Sequence, residues 1–373
     1  MSSEIYDLLV LGNGVAGAAA ASIAARLGRR VGLLARGPAD RGSGWVDWLH
    51  PQAAAPLKEA GVPLADVAGS EIAAIAFHSD DLRRRAEGPR IEGVHVAELG
   101  ALRRALRDAA RTAGVDLIAS AEASDVQCEE ESVRAICTGG RELVGRLLVV
   151  ADGADSSIAG RLGVRDPRQR PVHYTSAQAV FGPAAGKGRS EPARLQVVLE
   201  TARPMGFGYV LTIGKRCAVG LVEPMAAEEM DNRLKAFAAR CAAAELLPKG
   251  TALDDTEIRR RRTPRGTALD YETHVGKRSL VIGDAGGFVS ALSQDGLYPA
   301  LVTAECAAKA ADAALRERHA QDALQMFDAL WRARLADQLR LPGTDLKFLT
   351  PMVFTNATMA TRMARAFLLG DNL

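Results

Sequence analysis

Cysteine is scarce in this chain and poorly placed for bridging. The five copies, Cys128, Cys137, Cys217, Cys241 and Cys306, are odd in number, scattered, and include no C-x-x-C pair. That excludes a disulfide frame or a thiolate zinc site and leaves small buried hydrophobes in a reducing compartment. Neither sign of charge is in excess, with 47 basic and 45 acidic residues and a net charge of +2. Nucleic acid and acidic membrane surfaces are therefore not expected as main partners. No apolar run reaches the roughly 18 residues of a membrane span. Glu4 and Asp7 stand where a signal peptide carries positive charge. A soluble cytoplasmic protein is expected, and 373 residues suffice for two domains or one elaborate one. Aromatics are also rare at 5%, yet two of the three tryptophans fall in one stretch, GWVDWLHP at 44–51.

What is present begins at the N-terminus. Residues 5–11, IYDLLVL, read as a buried parallel strand. Gly12-Asn13-Gly14-Val15-Ala16-Gly17 follows, then the alanine-rich AAAASIAARLG, then a second apolar run, RVGLLA. Strand, G-x-G-x-x-G, helix and strand fit the roughly 30 residues of a dinucleotide-binding unit. Gly12 permits the tight turn, Gly14 the approach of a pyrophosphate, and Gly17 close packing of helix on strand. The amides and dipole at the helix start then hold the anion. The acid that such units carry about 20 residues on, for the adenosine ribose, is missing. Ala35 occupies its place, followed by Arg36, which reads equally as an adenine or phosphate contact and as a solvated strand end. Two further apolar runs end in acid-plus-glycine turns: RLLVVADG at Asp152-Gly153, and RSLVIGDAGG at Gly283-Asp284. Ligands of open α/β sheets sit beyond the carboxyl ends of the strands, so three such turns can converge on one extended cofactor.

In order and spacing, these motifs resemble the FAD-dependent superfamily of aromatic hydroxylases, flavin halogenases and geranylgeranyl reductases. The resemblance implies a doubly wound, Rossmann-like α/β domain for FAD, an inserted β-rich substrate domain and a helical C-terminal tail. It places Gly12, Gly14, Val15, Ala16 and Gly17 at the FAD pyrophosphate, and Asp152 and Gly153 near the cofactor's middle. Gly283 and Asp284 would meet the ribityl chain. The stretch SQDGLYPA is similar to the segment beside the isoalloxazine, with Gly296 and Leu297 opening a helix aimed at the pyrimidine edge. The positive end of that helix would favour an anionic reduced flavin. Ala291 and Gln294 depart from the usual proline and glycine there. The arginine of the family's R-x-x-L-D-x-x-L appears as Leu99. With Ala35, these departures predict weak retention of FAD.

The expected division runs 1–165 for the first part of the FAD domain, with substrate-domain elements near 65–95. The β-rich domain follows over 166–275, the second part of the FAD domain over 276–320, and the tail over 321–373. Residues 190–221 alternate as an antiparallel sheet with one wetted face. The run Arg259-Arg260-Arg261-Arg262 reads as a solvated strand edge, with attraction of a phosphate-bearing substrate as the alternative. Relatives pass a segment beside the isoalloxazine at the position of GWVDWLHP. Asp47, Trp48 and His50 are therefore the catalytic candidates, the tryptophans as cavity wall and the polar pair for orientation or proton transfer. The alternative puts both tryptophans in the core, with Asp47 capping the next helix. The tail reads as a core helix pair or as a lid for a greasy substrate. By resemblance the favoured reaction is monooxygenation of an apolar or aromatic small molecule through a flavin C4a-hydroperoxide. Double-bond reduction as in prenyl reductases is the alternative, as is a flavoprotein that matures a partner protein. NADPH or NADH, a flavin reductase and peripheral membrane contact complete the expected partners.

Overall fold

The computed structural model describes residues 5–35, 44–164, 173–182, 191–199, 206–224, 227–249, 251, 256–317 and 319–373. Its organising element is the strand Tyr6–Leu11, which is fully apolar after Asp7 because both of its faces are covered. Glu142–Val150 and Val31–Ala35 flank it in parallel. Ser279–Val281 and Asp116–Ala119 extend the sheet in parallel on either side. The helices Val15–Arg26, Leu99–Thr112 and Leu297–Arg316 cover one face through a core that includes Leu8, Val10, Leu102, Leu106 and Leu301. The strands Ala123–Cys128 and Val133–Cys137 curl over the other face, burying Leu9, Leu11, Val133 and Leu148. Alanine in the first helix is more than composition: Ala18 to Ala21 are wholly buried, which lets the helix lie close to its neighbours.

The second sheet is larger. Its order runs Ile258–Pro264, His173–Phe181, Arg216–Glu223, Phe207–Ile213, Ala193–Leu199, Ala68–Ser79, His95–Glu98 and Val46–Leu49. Neighbours are antiparallel except Ala193–Leu199 beside Ala68–Ser79. The expected wetted face is absent in the strands between 193 and 223. Met230, Leu234 and Phe237 of the helix Ala227–Ala243 cover one side, and Met363, Ala364 and Phe367 of the helix Ala357–Leu369 cover the other.

GWVDWLHP is not a loop. Val46–Leu49 is the outer strand of the second sheet, with Trp48 opposite Val96. Trp45 and Leu49 face the core beneath the parallel sheet, while Val46 and Trp48 face the core of the second. Gln178 fastens this strand: its amide oxygen accepts from Val46 N at 2.8 Å and its amide nitrogen donates to Val46 O at 2.6 Å.

The tail is not one unit either. Leu324, Phe327, Trp331 and Leu335 of Ala320–Leu324 and Met326–Leu339 join the core of the parallel domain. Leu346–Val353 and Ala357–Leu369 lie on the second sheet instead. There Met359 and Met363 are buried, whereas Phe348 is 72% exposed and Met352 44%. Among the described residues no helix is long and apolar enough to cross a membrane.

Candidate active site

Because Ser279–Val281, Glu142–Val150 and Tyr6–Leu11 are adjacent and parallel, their carboxyl-end turns sit side by side. They face a cavity of about 820 Å³ between the two sheets, toward the upper end of the usual range for ligand sites. Gly12 has φ +98°, and a Cβ there would strike the Ala151 carbonyl, so only glycine fits. Gly14 is the N-cap of the first helix and lines the cavity with Val15 and Ala16. A Cβ on Gly14 would meet only the Arg103 guanidinium, at 3.7 Å, which leaves an open cradle before the helix amides. Gly17 serves helix-to-strand packing, since a Cβ there would overlap the Gly12 carbonyl oxygen. Asp152 and Gly153 also line the cavity. Gly283 lies against the Ala16 methyl, and Asp284 faces the cavity. Burial pushes the Asp284 carboxyl up, and Arg261 and Arg103 hold it back.

A buried histidine supports that turn. His274 Nε2 lies 2.8 Å from the Gly286 carbonyl, to which it donates as the neutral ring. Asp328 accepts from the Thr273 hydroxyl, from His274 N and from Trp331 Nε1, which fixes the backbone that carries the histidine. Burial lowers the His274 pKa to about 4.

At one end, Leu34, Ala121 and Glu122 line the cavity beside Ala35, the residue without a ribose acceptor. Arg36 lies outside the described residues. At the other end stand Trp45, Arg261, Gly296 and Leu297. The Arg261 guanidinium carbon is 5.6 Å from the Trp45 ring centroid, within cation–π range. Directly behind this end are two buried carboxylates. Asp47 Oδ1 accepts from Trp48 N at 3.0 Å, and burial raises its pKa against the pull of Arg261. Asp295 Oδ1 accepts from Leu297 N at 2.8 Å. Burial, then Asp47, push Asp295 up to about 7, opposed by the Leu297 and Tyr298 amides and by Arg261. This changes the expectation for the helix start. The amide of Leu297 is already taken by a side chain of its own chain, so less of the helix's positive end remains for a ligand.

Two catalytic candidates lie away from the cavity. Trp48 is 3% exposed and packs edge-on to Tyr209 at 5.8 Å and against Phe367 at 5.7 Å. His50 stacks on Tyr298 at 4.1 Å, its Nδ1 accepts from Gln52 N, and its Nε2 meets Leu369 O. It caps the short turn Pro51–Ala53, the role the sequence suggested for Asp47. The arginine run is indeed an outer strand, but not simply a solvated one. Arg259, Arg260 and Arg261 border the cavity. Arg260 is paired with Asp231, and Arg262 with Asp155 at 2.8 Å. Sequence reasoning also missed Arg103, Glu122 and the carboxyl of Asp295. A signal existed for Asp295, an acid just before a helix, and for Arg103, one helical turn beyond Leu99.

The glycine cradle, the helix amides, the cationic Arg103 and the long cavity suit a dinucleotide diphosphate. A family model described as "FAD binding domain" matches residues 6–339. This chain belongs to that family. It is a FAD-dependent oxidoreductase. Digeranylgeranylglycerophospholipid reductase 2 of Methanothermobacter thermautotrophicus is 27% identical over 346 residues, covering 90% of this chain and 85% of the relative. Among solved structures, a geranylgeranyl bacteriochlorophyll reductase-like protein from Thermoplasma acidophilum matches with a TM-score of 0.76 and 18% identity, over 97% of this chain and 96% of that one. PqsL, a probable FAD-dependent monooxygenase from Pseudomonas aeruginosa, matches with a TM-score of 0.70 and 21% identity, over 97% and 100% of the two chains. These last two likenesses speak for the fold of this flavoprotein.

Proposed function

We propose that this flavoprotein reduces an isolated double bond in an apolar, prenyl-type small molecule. Bound FAD supplies the two-electron redox chemistry, from NADPH or NADH as donor, and the chain's residues supply position and protons. The observation that carries the reading is the carboxylate pair behind Trp45 and Gly296. Saturating a carbon–carbon bond consumes one proton at carbon for each hydride equivalent. Asp295, with its pKa near 7 beside Asp47, is suited to hold that proton at neutral pH. The capping of Leu297 N by Asp295 also withdraws an amide that would otherwise favour negative charge at this end. The sequence-level likeness to a reductase supports the same choice. A cytoplasmic setting accords with five free cysteines.

Monooxygenation is the second reading, favoured by the flat Trp45 face bordering the cavity. One experiment separates the two. The FAD-loaded protein is reduced under argon and mixed with a geranylgeranyl compound. Reduction predicts reoxidation of the flavin without oxygen and a product two hydrogens heavier by mass spectrometry. Reoxidation only after oxygen is admitted, with one oxygen atom gained by the product, would establish the monooxygenase instead. Asp295→Asn should slow the anaerobic reaction at least tenfold and remove its pH dependence near 7. An unchanged rate and profile would show that the proton comes from elsewhere.

A further inference from the structure

The side chains absent at positions 35 and 99 have neighbours that reach the same cavity. Arg103 lies four residues after Leu99 on the helix Leu99–Thr112, and so on the same helix face one turn along. Its Nη2 stands 3.7 Å from where a Gly14 Cβ would be, in front of the amides that open the first helix. It shares the cavity with a second guanidinium, that of Arg261, and with the Asp284 carboxyl. Burial and then Arg261 lower the Arg103 pKa, while Asp284 raises it. A guanidinium in front of a helix N-terminus, with a second guanidinium lining the same cavity, favours an anionic group there.

Glu122 has an independent position at the other end. Ala35 and Ala119 are in register on adjacent parallel strands. Beyond them, Ala121 N donates to Ala35 O at 3.0 Å and Thr138 N donates to Glu122 O at 2.8 Å. Glu122 is thereby anchored next to the strand end that lacks a carboxylate, and it lines the cavity with Leu34.

We propose that Arg103 binds the FAD diphosphate and Glu122 the adenosine half, taking over from the side chains missing at 99 and 35. The inference rests on FAD binding and not on the choice of reaction. Arg103 supplies a forked donor to phosphate oxygens, and Glu122 an acceptor for a ribose hydroxyl.

The test is a fluorescence titration of the apoprotein with FAD and, separately, with FMN, which has the ring and one phosphate but no adenosine. Arg103→Ala should weaken both about ten- to a hundredfold, because both carry phosphate. Arg103→Lys should recover part of that loss, since charge returns without the fork. Glu122→Gln should weaken FAD about tenfold or more and leave FMN within twofold. Circular dichroism and a thermal melt of each variant establish that it is folded. If folded Arg103→Ala binds both flavins as wild type does, the diphosphate assignment is wrong. If Glu122→Gln leaves FAD affinity unchanged, or weakens FMN equally, the adenosine assignment is wrong. Failure of the wild-type chain to bind either flavin would instead remove the cofactor premise itself.

Discussion

Two glycines three residues apart answer to different constraints, and substitution should separate them. Gly14 faces open space, so Gly14→Val should fold and melt nearly as wild type while filling the cradle and abolishing FAD binding. Gly17→Ala should instead lower stability, because its methyl meets the Gly12 carbonyl of the adjacent turn. A melt alongside a flavin titration checks both, and the opposite pattern would reassign the roles. Trp48 and Trp45 form a similar contrast. Trp48→Ala should cost about 3–5 kcal/mol through lost aromatic packing with Tyr209 and Phe367, leaving flavin emission unaltered. Trp45→Ala should change that emission, since its ring borders the cavity. The glycine motifs were legible because each works within a few consecutive residues. Trp48 was not: both faces of Val46–Leu49 are buried, so no polar–apolar alternation marked it as a strand.

Among the elements, the turn Gly283–Gly286 draws support from a distant side chain. His274 donates to it from Nε2, and burial, which disfavours the charged ring, lowers its pKa from 6.5 to about 4. The unfolded chain therefore takes up a proton that the folded one refuses. Stability should be full above about pH 6.5 and decline as the pH falls toward 4, by about 3 kcal/mol at most from this residue. His50 and His78, also lowered by burial, act in the same direction. Urea melts at pH 8 and pH 5 measure the decline, and His274→Gln should reduce it. A slope that His274→Gln leaves unchanged would assign the acid sensitivity to other groups. Gln294 shows the limits of local reading in another way. It holds φ +54°, in the left-handed region that favours glycine, at the position where the resemblance led to an expectation of glycine. The strands and their carboxyl-end turns could be read from apolar runs. That Arg103, Arg261 and Glu122 meet in one cavity could not, because the fold brings them there from three separate parts of the chain.

Across the whole molecule, the cofactor cavity and the C-terminal cover are separate structures. Among the described residues, none beyond Ala300 lines the cavity, yet Met363, Ala364 and Phe367 close the core of the second sheet. Ending the chain at residue 345 should therefore leave every cavity residue in place and still destroy the cooperative melt. Phe367 alone contacts the rings of Trp48, Phe77 and Phe207. A truncated chain that melts as the full one does would show the cover to be dispensable. The position of that cover also bears on synthesis. The strands it protects leave the ribosome long before Phe367 does. One face of the second sheet must therefore wait, apolar and uncovered, until the helix Ala357–Leu369 emerges. A chaperone that shields aliphatic and aromatic surface has its natural moment in that interval.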